Sequence, residues 1–318
     1  MFLESFKITG WAVMQSFFLG AIGYLLVKKD ILGPEGLDSL SRLVIDITLP
    51  ILIFCQLIKD FRFALYQDWW IFPLLSMVIT LAGWTVAALF TAFIKGEDHK
   101  LQFSSLVAFQ NSGYLPLALI AALLPKEKTD AMFIYLFLFL LGFNLIMWSV
   151  GVHLLTFTRD KRFELSSLFS PPVIATIFSL ILVLFGLNRF IPEQVSKPLR
   201  MVGDCTLPLA MFVVGGSLAR IHLGRLDKKA IFLVILTKLI ILPAAGLWLI
   251  LKFNLPILVG LLLLIQLAMP PATSLSLIIR HYRKEDLLVS QGIFYGHIAS
   301  IITIPIFLSL YFALVMVR

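Results

Sequence analysis

The chain has few charged residues and few cysteines for its length. Charged side chains make up 14% of its 318 residues, whereas hydrophobic ones make up 60%, and the mean hydropathy is +0.98. A soluble domain of this size needs a polar shell, which this composition cannot supply. The composition therefore excludes a soluble protein and predicts a polytopic membrane protein.

Several features that would carry other functions are also missing. Cys55 and Cys205 lie in apolar segments without His or Cys partners at metal-ligand spacing, so we interpret both as small core residues and expect no metal. No Gly-rich phosphate loop occurs, so we expect neither ATP hydrolysis nor a cofactor. The first apolar run reaches Lys28 and Lys29 without a small-residue cleavage site, which predicts a retained first span.

The positive charge of the chain is spread over many loops. The formal net charge is +8, yet Lys and Arg form no concentrated basic domain, so we expect a lipid bilayer and no nucleic acid as partner. The connections after the first, third, fifth, seventh and ninth apolar segments carry more Lys and Arg than the others. This bias predicts a plasma (bacterial inner) membrane protein with both termini extracytoplasmic.

We predict ten transmembrane helices. Each crossing needs about 20 apolar residues, and lipid leaves no partner for open backbone groups, so helices are expected throughout. The ten segments are Ile8–Val27, Ser39–Ile58, Trp69–Ile94, Leu101–Leu124, Ala131–Phe157, Pro171–Leu187, Lys197–Ala219, Ala230–Leu251, Leu255–Ile279 and Leu287–Val317.

Two stretches of the chain have almost the same sequence. Residues Arg42–Phe54 and Arg200–Phe212 share the pattern R-x-V-x-D-x-T-L-P-x-x-x-F, with seven identities in thirteen positions at an offset of 158 residues. Such a match indicates two copies of one structural unit. Five spans per unit is an odd number, so the second unit enters the membrane inverted. We therefore predict two inverted five-helix repeats, residues 1–158 and 171–318, joined by a short cytoplasmic connection, residues 159–170.

The fourth and ninth predicted spans each contain a helix-breaking sequence near mid-span. Pro lacks a backbone donor and clashes with the preceding turn, while Gly relaxes it, so both helices should unwind there. The freed backbone groups must face protein or water, so the two breaks predict crossed segments around a polar midplane pocket. Helix N-terminal dipoles at the breaks favour an anion such as a carboxylate. The candidate substrate-binding residues here are Gln110, Asn111, Gly113, Tyr114, Pro116, Pro270, Pro271, Thr273 and Ser274.

Lys238 lies inside the eighth predicted span. An ammonium at that depth costs about 2.5 to 3.5 kcal/mol on insertion scales, so it should face the interior and have a partner. Two interpretations stay open. Lys238 either neutralises a broken-helix carbonyl end or an Asp, or attracts the substrate anion or replaces a coupling cation.

Asp46 and Asp204 each follow an arginine by four residues, Arg42 and Arg200, on the same helix face. This spacing predicts an intrahelical ion pair in each stretch. Asp46 is the first candidate for a proton carrier if transport is proton-coupled. Three further polar residues within spans could line the same pocket or bond a neighbouring helix. They are Asn144, Gln291 and His297.

The run Asn111-x-Gly113-Tyr114-x-Pro116 in the fourth span and Ala268–Pro271 in the ninth resemble the auxin efflux carrier family. Two further stretches, Gly215-Gly216-x-Leu218 at the end of the seventh span and Thr303–Pro305 within the tenth, add to the likeness, which covers essentially the whole chain. The resemblance implies ten helices with crossed broken helices. It also implies an elevator-type movement of organic anions.

The same resemblance marks Asn111 and Pro116 in the first crossing, and Pro270 with Pro271 in the second, as the substrate centre. The short central connection differs from the long loop of plant auxin carriers, and the second break has adjacent prolines without an Asn. The chain is thus more similar to bacterial members, often labelled malate or malonate permeases.

The sequence predicts a non-enzymatic transporter of a small organic anion, a dicarboxylate or an auxin-like acid. A sodium- or proton-coupled symporter or antiporter of related fold is an alternative, although the fourth and ninth spans contain no carboxylate near the breaks. A remote alternative is an intramembrane enzyme that uses Asp46 and Asp204 as a catalytic pair. The oligomeric state stays open, with a homodimer as one arrangement.

Overall fold

The computed structural model of the chain describes residues 2–151, 169–221, 223–224, 226–275 and 287–315. We number its main helices in chain order. They are α1 Phe2–Lys28, α2 Pro34–Asp60, α3 Ile71–Phe93, α4 Glu97–Ala108, α5 Tyr114–Leu123, α6 Lys126–Ser149, α7 Pro171–Leu184, α8 Glu193–Ala219, α9 Lys228–Phe253, α10 Ile257–Ala268 and α11 Leu287–Val315.

The fold is all-helical over the described residues, as predicted. Seven helices there, α1, α2, α3, α6, α8, α9 and α11, are long and apolar enough to cross a membrane. The helices α4, α5, α7 and α10 have 12, 10, 14 and 12 residues. At about 1.5 Å per residue, none of these four spans roughly 30 Å of hydrocarbon alone. The structure therefore shows an all-α protein built to span membranes, while the count of ten crossings stays a prediction.

Several helices extend beyond the apolar segments that predicted them. α1 begins at Phe2, and α2 begins at Pro34, whose missing N–H suits the first turn of a helix. Polar residues at these ends continue the helix, so hydropathy alone places the boundary too late. Most of the predicted connection 159–170, and residues 276–279 of the ninth predicted span, lie outside the described residues.

Three helices contain a π-helical turn that the sequence did not predict. Among the described residues these turns are Val44–Thr48 in α2, Met147–Gly151, which begins in α6 and runs two residues past its end, and Leu236–Ile241 in α9. A π turn widens the helix by one residue and is often found at functional sites. Here the first contains Asp46 and the third contains Lys238.

The helices pack as two groups. In the first group α1 packs on α8, and α2 packs on both α7 and α8. In the second group α3 packs on α4 and α6, α9 packs on α10 and α11, and α4 contacts both α9 and α11. The groups meet where α1 lies against α11 and α5, and where α6 lies against α2 and α7. A boundary thus runs between a four-helix group and the rest.

Glycines allow the closest helix approaches. A Cβ on Gly215 of α8 would overlap the backbone carbonyl of Gly20 in α1, and one on Gly142 of α6 would overlap the carbonyl of Pro73 in α3. Small residues let helix backbones approach closely, which is the usual source of packing energy in lipid. Each of the two groups therefore contains glycine-dependent backbone contacts.

The two cysteines differ in their surroundings. Cys55 is buried, as predicted, but Cys205 is exposed. Cys205 lies at a turn between two helical segments of α8, Glu193–Asp204 and Thr206–Ala219. An apolar sequence environment predicts a core position only when the residue faces other helices, so the interpretation of Cys205 as a core residue is wrong.

Candidate functional site

The two predicted helix breaks lie against each other. The first falls between the end of α4 at Ala108 and the beginning of α5 at Tyr114, and the second follows the end of α10 at Ala268. Gln110 and Pro271 form an isolated antiparallel β-bridge between them. Asn111 N–H donates to Pro270 O at 2.8 Å, and Ala272 N–H donates to Phe109 O at 3.0 Å. Backbone groups freed by one break thus satisfy those freed by the other.

The prolines of the breaks fit positions that need no backbone donor. In this bridge the hydrogen bonds come from the residues on either side of Gln110 and Pro271, so the missing N–H of Pro271 costs nothing. Pro116 is the third residue of α5, within the first turn, where a helix has unpaired N–H groups. Pro270 supplies a carbonyl acceptor. These prolines shape the crossing.

A cavity of about 170 Å³ adjoins the crossing. It lies at the boundary between the two helix groups, because α2 and the beginning of α7 form one side and the two breaks with α6 form the other. Its described lining residues are Ile45, Leu49, Gln110, Asn111, Ser112, Gly113, Tyr114, Leu140, Phe143, Asn144, Met147, Trp148, Ser170, Pro172, Ala272, Thr273 and Ser274. No charged side chain is among them. Polar groups of the breaks therefore face an apolar and aromatic wall.

Six of the ten predicted substrate-binding residues line this cavity. They are Gln110, Asn111, Gly113, Tyr114, Thr273 and Ser274. Pro116, Pro270, Pro271 and Lys238 are buried nearby without lining it. Sequence reasoning missed Ser112 and Ala272, which lie inside the breaks. It also missed Phe143, Met147 and Trp148, since an apolar run gives no signal for residues that turn toward a cavity.

Three polar side chains that do not line the cavity contact the first break. Lys238 Nζ of α9 donates to Gln110 Oε1 at 3.5 Å. Asn111 Nδ2 lies 3.5 Å from His297 Nε2 of α11, and Gln266 Nε2 of α10 donates to Ser112 O at 3.1 Å. Gln110, Asn111 and Ser112 are consecutive, so three helices each contact one residue of the unwound segment.

The hydrogen bonds of His297 define its tautomer. Its Nδ1 lies 2.8 Å from the carbonyl oxygen of Ile293, so Nδ1 carries the proton and donates it. Nε2 then accepts from the Asn111 amide nitrogen. Asn111 Oδ1 in turn accepts from Leu115 N–H at 3.5 Å, in the first turn of α5. The amide of Asn111 is therefore oriented from two sides.

Two buried side-chain atoms at the crossing have no hydrogen-bond partner. They are Gln110 Nε2 and Gln266 Oε1. An unpaired buried polar atom costs about 1–3 kcal/mol, so each one calls for a partner such as a water molecule or a ligand. Gln110 also lines the cavity. Its amide can therefore donate to a bound molecule.

The three polar residues that contact the first break have no counterparts of the same type in the first half of the chain. The residues 158 positions before Lys238, Gln266 and His297 are Thr80, Ala108 and Phe139. Thr80 donates to Ser76 O within its own helix, and the other two side chains are apolar. At these three positions the first half of the chain therefore has no Lys, Gln or His, although the two stretches Arg42–Phe54 and Arg200–Phe212 are so similar.

The predicted intrahelical ion pairs are not formed. The side chains of Arg42 and Asp46 are exposed and no ion pair joins them, and the same holds for Arg200 and Asp204. For the first pair the π turn at Val44–Thr48 lies between the residues and changes their relative angle around the helix. Exposed pairs contribute little in any case. Nor does any hydrogen bond join the two aspartates that the enzyme alternative requires.

The three weaker polar candidates have different positions. Asn144 lines the cavity. His297 does not line it but contacts the side chain of Asn111, which does. Gln291 bonds a loop instead: its amide donates to Leu223 O at 2.5 Å and accepts from Asp227 N–H at 3.3 Å. The suggestion that Gln291 lines the pocket is therefore wrong.

A family model described as "Membrane transport protein" matches residues 11–166 and 156–308. The chain belongs to the membrane transport protein family. This match confirms the resemblance to the auxin efflux carrier family and covers nearly the whole chain. It places the crossing and its cavity in a protein of a transport family, which agrees with a non-enzymatic role.

Two archaeal transporters are similar to the chain over almost their full length. An uncharacterized transporter of Methanothermobacter thermautotrophicus is 26% identical over 303 residues, 92% of this chain and 95% of its own length. Another, from Methanocaldococcus jannaschii, is 26% identical over 306 residues, 92% of this chain and 96% of its own. An uncharacterized transporter of Saccharomyces cerevisiae is 27% identical over 150 residues, 43% of this chain and 26% of its own.

Proposed function

We propose that this protein carries a small organic anion, a carboxylate, across the membrane by elevator-type alternating access, as a secondary-active or facilitative transporter. The observation that supports this most is the pairing of two unwound segments beside a cavity at the boundary between two helix groups. Unwound backbone at membrane depth is tolerated where it lines a cavity, and transporters use such breaks to hold substrate.

The polar side of the cavity suits one negative charge. α5 begins at Tyr114 beside the cavity, and the positive end of its dipole faces the break. The amides of Gln110 and Asn111 add neutral donors. Because no described lining residue is cationic, a second carboxylate would lie uncompensated in a poorly hydrated site. Between a dicarboxylate and an auxin-like acid, the lining favours an acid with a single charge.

The apolar side of the cavity suits an apolar body. Phe143, Met147 and Trp148 of α6 face the breaks, with Ile45 and Leu49 of α2 beside them. Burial of apolar surface contributes roughly 25 cal/mol per Å². The substrate is thus held by its charged group at the crossing and by its carbon skeleton against α2 and α6.

The helix packing supports an elevator-type movement. α1, α2, α7 and α8 form one group, and the paired breaks belong entirely to the other. The two breaks share backbone hydrogen bonds, so the crossing moves as one unit. We propose that the four-helix group stays fixed in the bilayer while the group with the crossing slides along it.

We further propose ten crossings in two inverted five-helix repeats. α4 with α5 makes one broken crossing, and α10 with the residues after Ala268 makes the other. Neither α4 nor α10 is long enough to span the bilayer alone, but two half-helices joined by a break are long enough.

The direct test is uptake of labelled carboxylates into proteoliposomes that contain the purified protein. The screen compares monocarboxylates with dicarboxylates, with and without imposed proton and sodium gradients. We expect selective uptake of an apolar monocarboxylate. No anion taken up under any gradient would refute the proposal, and preferred uptake of a dicarboxylate would refute the single-charge assignment.

Two variants of Asn111 sharpen the test. Loss of a hydrogen bond to a charged group costs about 1.5–3 kcal/mol, so Asn111→Ala should raise the KM by roughly 10- to 100-fold. Asn111→Asp is nearly isosteric but adds a negative charge, and it should abolish uptake of the anion. Equal uptake by the Asp variant and the natural protein would show that Asn111 does not bind the anion.

A further inference from the structure

We propose that Lys238 is the site at which transport is coupled to protons: its amine takes up one proton as the substrate anion binds beyond Gln110 and releases it after the anion has left. The proposal rests on the anion transport proposed above. It assigns the coupling ion and the residue that carries it.

The position of Lys238 links it to the cavity without exposing it. Its side chain is 0% exposed, in the π turn Leu236–Ile241 of α9. Nζ donates to Gln110 Oε1 at 3.5 Å, and Gln110 also lines the cavity. A single amide therefore separates the amine from the substrate, and the widened turn places it toward the crossing.

No acidic side chain of the described residues pairs with Lys238, and Gln110 is its partner there. The helices packed against its turn are α3, α4, α10 and α11, and the described parts of α3 and α10 carry no titratable group. The titratable residues on the other packed helices and on α9 itself are Glu97, Asp98, His99 and Lys100 of α4, Lys228, Lys229 and Lys252 of α9, and Tyr295, His297 and Tyr311 of α11.

Most of these groups lie far from the crossing. Glu97 to Lys100 form the first turn of α4, and at 1.5 Å per residue they lie about 15 to 20 Å along the chain from Gln110. Lys228, Lys229 and Lys252 lie at the two ends of α9. His297 is close, but both of its ring nitrogens already have partners. Nδ1 donates to Ile293 O, and Nε2 accepts from the Asn111 amide. The substrate anion is thus the counter-charge that the described structure leaves open.

This arrangement makes proton binding and anion binding depend on each other. A buried ammonium without a counter-ion is unfavourable, so the empty site favours the neutral amine. An anion at Gln110 and Asn111 attracts a proton to the amine through a poorly hydrated region, where charges interact strongly. By thermodynamic reciprocity the protonated amine raises the affinity for the anion by the same factor.

The same charges determine which forms can move through the bilayer. The empty carrier with a neutral amine has no net charge at the crossing, and neither does the carrier with one anion and one ammonium. A carrier with the proton alone or the anion alone would bring a net charge through hydrocarbon, at a cost of several kcal/mol. Transport through the two neutral forms moves one proton with each monocarboxylate.

The proton step is simple and reversible. The amine of Lys238 accepts H⁺ from water, or from the substrate acid itself, to give an ammonium, and it returns H⁺ to water on the other side of the membrane. Gln110 Nε2 has no hydrogen-bond partner, so its side chain can rotate and open a path from the cavity to Nζ. Asp46, the carboxyl favoured from the sequence, is exposed and lies close enough to Tyr114 to interact with it electrostatically, but it forms no hydrogen bond with Gln110 or Lys238.

The first experiment measures protons during binding. The purified natural protein in weakly buffered detergent, over a series of pH values, receives the monocarboxylate that the uptake screen selects, with a pH indicator as readout. We expect uptake of close to one proton per anion bound. Anion binding without proton uptake at any pH would overturn the proposal. This experiment needs no variant.

The second experiment compares variants in proteoliposomes. Lys238→Met is nearly isosteric and uncharged, whereas Lys238→Arg stays charged. Lys252→Met, at the end of the same helix, is the matched control. The natural protein and the control should accumulate the anion about tenfold per pH unit of inward gradient, without response to membrane potential. Both Lys238 variants should lose gradient-driven accumulation and become sensitive to membrane potential.

The outcomes separate this proposal from the proposed function. If the natural protein transports no anion, the proposed function fails. If it transports anions but Lys238→Met keeps proton-driven accumulation, the assignment of Lys238 fails and anion transport stands. If proton coupling is lost in His297→Gln and kept in Lys238→Met, the proton site is His297, which also overturns the proposal.

Discussion

The backbone N–H of Asn111 donates to the carbonyl of Pro270 at 2.8 Å, and this bond joins two segments 159 residues apart in the chain. Together with the bond from Ala272 to Phe109 it turns two helix breaks into one paired structure. The pairing places Gln110 and Asn111, which line the cavity, beside the second break.

Gly296 should be essential for the crossing. A Cβ on Gly296 of α11 would lie 2.8 Å from Cδ of Pro271, a ring atom with little freedom to move. Gly296→Ala should therefore displace the second break and lower the uptake rate tenfold or more, since overpacking typically costs about 1–3 kcal/mol. Gly10→Ala, with no atom within 4 Å of the added Cβ, is the matched control in α1 and should keep full activity. Equal uptake by the two variants would contradict this prediction.

Gly215 should be essential for stability. Its α-carbon faces the carbonyl of Gly20, and an added methyl group would overlap that backbone atom. Gly215→Ala should separate α1 from α8 and lower the melting temperature in detergent, with a loss of about 1–3 kcal/mol or failure to fold. Gly36→Ala, whose nearest neighbour would be 3.4 Å away, should melt like the natural protein. An unchanged melting temperature for Gly215→Ala would contradict the tight α1 to α8 contact.

His297 should act through Asn111. Its Nε2 accepts from the Asn111 amide, so His297→Leu removes the acceptor and leaves that amide free to rotate. We expect a rise in KM of about tenfold with little change in the maximal rate, since a hydrogen bond contributes roughly 1 kcal/mol and orientation adds to it. His297→Gln places an amide oxygen near the position of Nε2 and should restore most of the affinity.

A double-mutant cycle checks that mechanism. In an Asn111→Ala background the further change His297→Leu should have no additional effect on KM, because the group it positions is gone. Additive effects of the two substitutions would show that His297 acts independently of Asn111, for example by packing alone.

The boundary between the helix groups can be locked. Thr9 of α1 and Ser309 of α11 have their Oγ atoms 2.9 Å apart, and Thr9 also contacts Pro305 O at 3.3 Å. In a background without Cys55 and Cys205, Thr9→Cys with Ser309→Cys should form a disulfide under oxidation. If the groups slide past each other, oxidation should abolish uptake and reduction should restore it. Full uptake by the cross-linked protein would refute the elevator-type movement.

Much of the architecture follows from the sequence. Hydropathy locates the helices because lipid leaves no other solution for the backbone, and the helix-breaking residues around Asn111 and Pro270 locate the two breaks. The order Gln110 to Tyr114 also predicts much of the polar side of the cavity, since polar residues inside a span are costly unless they face such a site.

Other features are set by packing that no local pattern encodes. Hydropathy cannot distinguish lipid-facing from cavity-facing apolar residues, so Trp148 and Phe143 gave no signal. The π turn at Val44–Thr48 depends on tertiary contacts and changes the spacing on which the Arg42 to Asp46 pair relied. The depth of Lys238 predicted that it faces the interior, but its position behind Gln110 required the three-dimensional structure.

The polar side chains that contact residues 110–112 have no counterparts of the same type in the first half, so the two halves of the chain are not interchangeable. A chimera built from residues 1–158 twice would bring a threonine, an alanine and a phenylalanine where Lys238, Gln266 and His297 now stand. Such a chimera would retain the helix breaks but lose the three polar side chains that contact them.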